Sequence, residues 1–154
     1  MINAILLDIA RLIVFSKSDA IVGSLNSFYQ EHSKDTNFDF FNYYRVNDEL
    51  LNYLERLKNK YEIFGFTKGI IHSVPEIKNK IDNIFDEIYT VNEIGFEKDL
   101  PNSYLNVCSF IQIEPEEVIF IDDIEKNLEA AKVAGLNIYK YTTNEDLFNK
   151  LGTL

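Results

Sequence analysis

Two short apolar runs, each stopping at an acid, constrain this chain most. Ala4-Ile-Leu-Leu7 leads straight into Asp8, and Val118-Ile-Phe-Ile121 leads straight into Asp122-Asp123. Four consecutive apolar residues without polar alternation are the pattern of a strand buried on both faces, which is the habit of parallel sheets. A carboxylate directly after such a strand stands at its C-terminal edge. In open α/β sheets that edge is where ligands bind.

The rest of the chain fits the same plan. Tyr61-Glu-Ile-Phe-Gly-Phe66 is predicted as a second core strand ending at Thr67, Glu87–Thr90 as a short strand, and Asn137–Tyr141 as the last one. Leu12-Ile-Val-Phe15 is apolar and predicts a turn or hairpin. Helices are predicted from a cap at Ser18 to about Glu31, from a cap at Asn47 over 48–59, and over 72–83, 100–112 and 124–134. Leu50, Leu51, Leu54 and Leu57 form the buried stripe of the second. Gly135 is placed to end the fifth, and Asn144 to cap a final short one. Strands alternating with helices predict a doubly wound, mostly parallel, Rossmann-like α/β sheet with helices on both faces. The 154 residues suit one domain, 1–154.

Composition narrows the partners. The formal net charge of −10 opposes nucleic acid and anionic membranes, whose phosphates would be repelled. No apolar stretch approaches a membrane span, and the N-terminus lacks the basic start of a signal peptide. Cys108 is the sole cysteine, which fits a reducing compartment, so a cytoplasmic location is expected. Set in Tyr104-Leu-Asn-Val-Cys-Ser-Phe-Ile, it is expected as a small buried hydrophobe rather than a nucleophile.

Asp8, Thr67, Asp122 and Asp123 all fall at strand ends, and Lys98 follows another strand after a loop. Each alone is equally well a turn former or helix cap. Together they make a chemical set. Three converging carboxylates need a positive charge among them, and Mg²⁺ tolerates one or two carboxylates plus waters and a substrate phosphate. A hydroxyl and an ammonium can hold the remaining phosphate oxygens. One carboxylate can then act as nucleophile.

Longer motifs carry a resemblance. Glu93-Ile-Gly-Phe-Glu-Lys98-Asp-Leu-Pro-Asn-Ser-Tyr104 and Glu114-Pro-Glu-Glu-Val-Ile-Phe-Ile-Asp122-Asp123-Ile-Glu-Lys-Asn127, with Ala130-Ala131 and Ala134-Gly135, resemble the haloacid-dehalogenase-like hydrolase superfamily. The resemblance runs over nearly the whole chain. It implies Asp8 as nucleophile and metal ligand, Thr67 as a phosphoryl-oxygen contact, and Lys98 as the stabiliser of both charges. It also implies Mg²⁺ held by Asp8, Asp122, Asp123 and the Ala10 carbonyl. About 30 residues, roughly 16–45, remain for a reduced cap insert.

The first motif departs from that pattern. Phosphatases of the superfamily carry D-x-D-G-T, whereas this chain has Asp8-Ile-Ala10-Arg11-Leu12. The second aspartate is the general acid/base, and alanine has no proton to give. Its carbonyl can still ligate a metal. Loss of such a group costs about 10²–10⁴ in rate. Arg11 replaces a glycine that normally permits a tight turn, and Lys68 follows Thr67 where asparagine is usual. Dehalogenases and phosphonate-cleaving members also lack that aspartate, but the latter need a cap lysine, and Lys17 and Lys34 are the only candidates in that stretch.

Two functions follow. One is a Mg²⁺-dependent aspartate phosphoryl-transfer site with weak or altered phosphatase activity on a small phosphorylated molecule. The other is an inactive relative that binds a partner protein or phospho-ligand. A receiver-like phosphoacceptor is disfavoured, because its acidic pair would follow the first strand. Phe38, Phe40, Phe41, Tyr43 and Tyr44 are expected to pack the lid onto the core, with a homo-oligomer interface or a substrate pocket as the alternatives. His32 and His72 lack partners at ligand spacing and are expected as surface or helix residues.

Overall fold

The computed structural model describes residues 1–17, 21 and 23–154. Five strands form one parallel sheet: β1 (Ala4–Leu7), β4 (Glu62–Thr67), β5 (Glu87–Thr90), β6 (Val118–Asp122) and β7 (Asn137–Lys140). Their spatial order is β5-β4-β1-β6-β7, which puts β1 in the centre. Leu7 stands level with Gly65 on one side and Ile121 on the other. The strand ends therefore arrive together at one edge. A second, antiparallel ribbon pairs β2 (Val14–Ser16) with β3 (Tyr44–Val46). Of the turn or hairpin expected at Leu12–Phe15, the turn is present at Leu12 and Ile13, but the strand that follows pairs with the far end of the insert rather than in a local hairpin.

The period-two pleat sorts the core onto two faces. Ile5, Leu7, Ile63, Ile119 and Ile121 pack with Leu50, Leu51 and Leu54 of α3 (Asp48–Leu57), Ile77 of α4 (Pro75–Ile81) and Leu147 of α8 (Asn144–Leu151). Leu6, Phe64, Phe66 and Phe120 pack against Ile94 of α5 (Val91–Ile94), Tyr104 of α6 (Pro101–Ile111) and Leu128 of α7 (Glu125–Val133). Each leucine buried this way stabilises the fold by about 1.5–3 kcal/mol relative to an exposed one.

The helix ends follow local chemistry, with four differences from the sequence reading. Helix α1 (Leu25–His32) is capped by Ser24, whose hydroxyl accepts the Ser27 N–H; the expected cap at Ser18 lies outside the described residues. The helix expected over 72–83 is split, with a 3₁₀ turn at Ile71–Ser73 and α4 restarting at Pro75. Proline at the first helical position removes a donor that has no partner there anyway. Asn47 caps α3 as expected, but that helix stops at Leu57. The cap of α8 is Thr143 rather than Asn144; its hydroxyl accepts the Asp146 N–H. Gly135 takes φ +97° after α7, as a residue ending a helix in the left-handed region does.

Within the insert, the short helix α2 (Phe40–Tyr43) joins α1 to β3. Phe40 and Tyr44 stack at 4.4 Å, both 1% exposed, and Tyr44 donates to the Leu25 carbonyl at 2.7 Å. Phe38 stacks on Tyr43 at 5.4 Å, while Phe41 faces solvent. Most of the aromatic cluster is therefore packing, as expected. Among the described residues no helix is long and apolar enough to cross a membrane.

Candidate active site

The carboxyl edge of β4, β1 and β6 brings Thr67, Asp8 and Asp122 side by side, with Asp123 next in the chain. Lys98, from the loop after α5, enters from the side and is 6% exposed. Its Nζ lies 3.0 Å from Asp8 Oδ1 and 2.8 Å from Asp122 Oδ2. The ammonium also sits 5.7 Å from the Phe66 ring centre and 5.4 Å from that of Phe120, so aromatic faces supply further negative potential. Tyr104 donates to the Lys98 carbonyl at 2.7 Å and holds the loop in place.

Each carboxylate is aimed by its own backbone. Asp8 Oδ1 accepts the Ile9 N–H at 2.8 Å, and Asp122 Oδ1 accepts the Ile124 N–H at 2.8 Å. Asn127 donates to Asp122 Oδ2 at 3.0 Å. The sequence offered Asn127 only as part of a motif; its position on the first turn of α7 was the signal for this contact. Asp123 differs: its Oδ1 is buried with no hydrogen-bond partner.

Burial sets the electrostatics. It pushes Asp8 above the ordinary carboxylate range; Lys98 opposes this and Asp122 adds to it. Burial and the charges of Asp122 and Asp8 push Asp123 up to about 6, with Arg11 pulling the other way. Burial would lower Lys98, yet Asp8 and Asp122 outweigh it and hold the ammonium charged. Oxygens of Asp8, Asp122 and Asp123 lie within 4.8 Å of one another. Two buried acids and one half-buried acid against one buried ammonium leave a negative excess, and one Asp123 oxygen has no hydrogen-bond partner. That is the donor set a hard divalent cation takes, so Mg²⁺ fits these residues.

Asp8, Ala10, Thr67 and Lys98 line one cleft of about 410 Å³, with Asn26, Ile124 and Asn127. Two ion pairs guard its mouth, Lys68 with Glu97 at 2.7 Å and Lys126 with Asp99. Ala10 brings a methyl group into this cleft and no acid. Arg11 keeps the glycine-type turn: its φ is +63°, and its N–H donates to the Val14 carbonyl at 2.8 Å. Lys17 donates to the Phe41 carbonyl. Asn26 in the cleft wall was not foreseen; one asparagine in an amphipathic helix carries no distinguishing signal.

A family model, haloacid dehalogenase-like hydrolase, matches residues 8–140. The chain belongs to this family. It is 32% identical over 90 residues to enolase-phosphatase E1 of Hydrogenobaculum sp. (strain Y04AAS1), covering 54% of this chain and 40% of that protein. It is 31% identical over 96 residues to enolase-phosphatase E1 of Caenorhabditis elegans, covering 59% and 38%. The chain thus spans about two fifths of the length of the curated relatives it matches. A haloacid-dehalogenase-family enzyme of Bacteroides thetaiotaomicron, an aspartate-to-alanine variant in complex with magnesium and inorganic phosphate, superposes with TM-score 0.74 at 17% identity. That match covers 97% of this chain and 99% of the other. A predicted haloacid-dehalogenase-like family hydrolase of Porphyromonas gingivalis gives TM-score 0.70 at 17% identity, covering 99% and 97%. Both structures share the fold.

Proposed function

We propose that this chain is a Mg²⁺-dependent phosphoryl-transfer hydrolase that works through Asp8 without a side-chain acid/base. The observation that carries this reading is Lys98 bridging Asp8 and Asp122 at 3.0 and 2.8 Å inside a cleft where position 10 is alanine. The neutralised nucleophile and the missing proton donor stand in one pocket.

Asp8 attacks the phosphorus of a small phosphate monoester, and the bond from phosphorus to the leaving oxygen breaks. Lys98 and the Thr67 hydroxyl hold the phosphoryl oxygens as charge builds on them. The Asp8, Asp122 and Asp123 carboxylates with the Ala10 carbonyl would hold Mg²⁺, which supplies Lewis-acid stabilisation of phosphoryl charge when bound. Asp122 anchors Lys98 and Asn127 through Oδ2 and keeps a lone pair on Oδ1 beside the Ile124 N–H, whereas Asp123 has an oxygen wholly to spare. The leaving oxygen must take its proton from water. Water then attacks the aspartyl phosphate and releases phosphate and Asp8.

That chemistry favours leaving groups that need no proton. Mg²⁺-dependent turnover of acetyl phosphate and p-nitrophenyl phosphate tests it. Activity is expected in the wild type and lost in Asp8→Asn. Ala10→Asp should raise turnover of poor leaving groups by about 10²–10⁴. Silence in all three proteins would sink the reading and leave the inactive, ligand-binding alternative.

A further inference from the structure

Asn26 is the residue through which the insert reaches the cleft. Its Oδ1 accepts the Ile71 N–H at 2.8 Å, which ties α1 to the turn that follows β4. It also lies directly over Gly69. A methyl group at position 69 would meet Asn26 Cγ at 2.0 Å, Oδ1 at 2.1 Å and Nδ2 at 2.2 Å. Gly69 does not have the left-handed backbone that would demand glycine. Its missing side chain is therefore explained by space, and the Asn26 amide takes that space. Oδ1 already receives the Ile71 N–H, so what the amide has wholly free to offer is its Nδ2 donors. Among the described residues none accepts from them, and Asn26 lines the same cleft as Asp8, Thr67 and Lys98.

We propose that Asn26 is a specificity residue: seated on Gly69, it donates from the insert to an oxygen of the substrate's organic part. Asp8, Thr67 and Lys98 form the inner end of the cleft and suit the phosphoryl group. Asn26 lies over Gly69, two residues past Thr67, and is half-buried where those three are buried, so it stands further out along the cleft, where what the phosphorus carries would lie. The mouth also carries the charged Lys68, Glu97, Asp99 and Lys126, with Ile124 beside them. An amide donor among such groups selects hydroxyl- or carbonyl-bearing phosphate esters over apolar ones. The inference rests on the phosphoryl site proposed above.

Gly69 provides an unusual test. The atoms an added methyl would strike all belong to the end of one side chain. Gly69→Ala should therefore fold by swinging Asn26 away, and so disable it without deleting it. Binding of inorganic phosphate and of glycerol 2-phosphate would be titrated calorimetrically in Mg²⁺, for the wild type, Asn26→Ala, Gly69→Ala and the double variant. Loss of one hydrogen bond should weaken glycerol 2-phosphate binding by up to about tenfold in either single variant, with inorganic phosphate unchanged. The double variant should be no worse than Asn26→Ala, because both changes act on one amide. If inorganic phosphate binds but the ester affinity ignores both changes, or both ligands weaken equally, the role of Asn26 is wrong. If inorganic phosphate fails to bind the wild type, the phosphoryl site itself is wrong and this inference falls with it.

Discussion

Asp122, which holds Lys98 and Asn127 from beneath the cleft, and Asn26, which lines it, are held in different ways. Asp122 is fully buried at the end of a central strand, and its two oxygens receive three donors: the Ile124 N–H, Asn127 and Lys98. Asn26 is half-buried on a helix of the insert, tied to the sheet domain by one backbone N–H and the room over a glycine. The inner site is thus over-determined by parallel strands whose register fixes every end at once. The insert side depends on single contacts. Substitutions at the inner site should cost stability as well as chemistry, while substitutions on the insert side should be mild for the fold.

The largest effect is expected at Lys98. Lys98→Met leaves Asp8 and Asp122 buried without their counter-charge, and such a loss costs about 3–5 kcal/mol. Added Mg²⁺ should return part of it, by about 2.7 kcal/mol at a hundredfold excess over its dissociation constant. Urea unfolding with and without Mg²⁺ measures both. Lys126→Met is the control: its partner Asp99 sits at the exposed mouth, where solvent screens the pair, so its loss should leave stability nearly unchanged. A Lys98→Met protein as stable as the wild type in EDTA would remove the contrast between the two sides.

Next comes the anchor of the insert. Tyr44→Phe deletes the hydroxyl that donates to the Leu25 carbonyl and strands a buried acceptor, at a cost of about 1–3 kcal/mol. Burial first, and the neighbouring Tyr29 second, push the Tyr44 hydroxyl up to about 12. A pKa raised above the unfolded value of about 10 means the folded state holds this proton more tightly. The contribution is therefore whole below about pH 10 and lost as pH rises through 12. The gap between wild type and Tyr44→Phe in denaturant midpoint should close over that window. A gap that persisted above it would assign the loss to ring packing instead.

The same contrast explains which features the sequence disclosed. Strands β1 and β6 are short apolar runs with an acid behind them, and a parallel sheet turns that pattern directly into Asp8 beside Asp122. Thr67 and Lys98 were legible for the same reason, by their place after strands and in motifs. The β2–β3 ribbon was not, since three residues at 14–16 and three at 44–46 have too little pattern to find each other across the insert. Nor was the seat of Asn26 on Gly69, which is a contact between segments 43 positions apart with ordinary composition. The split at Pro75 was a missed local signal, because a proline inside an expected helix marks a first turn.

Arg11 joins the two sides and should give the smallest effect. Its left-handed backbone costs a non-glycine residue about 1–2 kcal/mol. Arg11→Gly removes that strain but adds about 0.5–1 kcal/mol of unfolded-chain entropy. A net stabilisation below about 1 kcal/mol is expected in urea unfolding. The guanidinium also lowers the charge cost of Asp123, so the comparison should be run with and without Mg²⁺. In EDTA, loss of Arg11 should offset the gain, because Asp123 then faces Asp8 and Asp122 with less compensation. With Mg²⁺ present, the gain should appear. A loss above about 1 kcal/mol in both conditions would make Arg11 a structural strut of the first loop, and the inner site would then extend one residue further along the chain than Ala10.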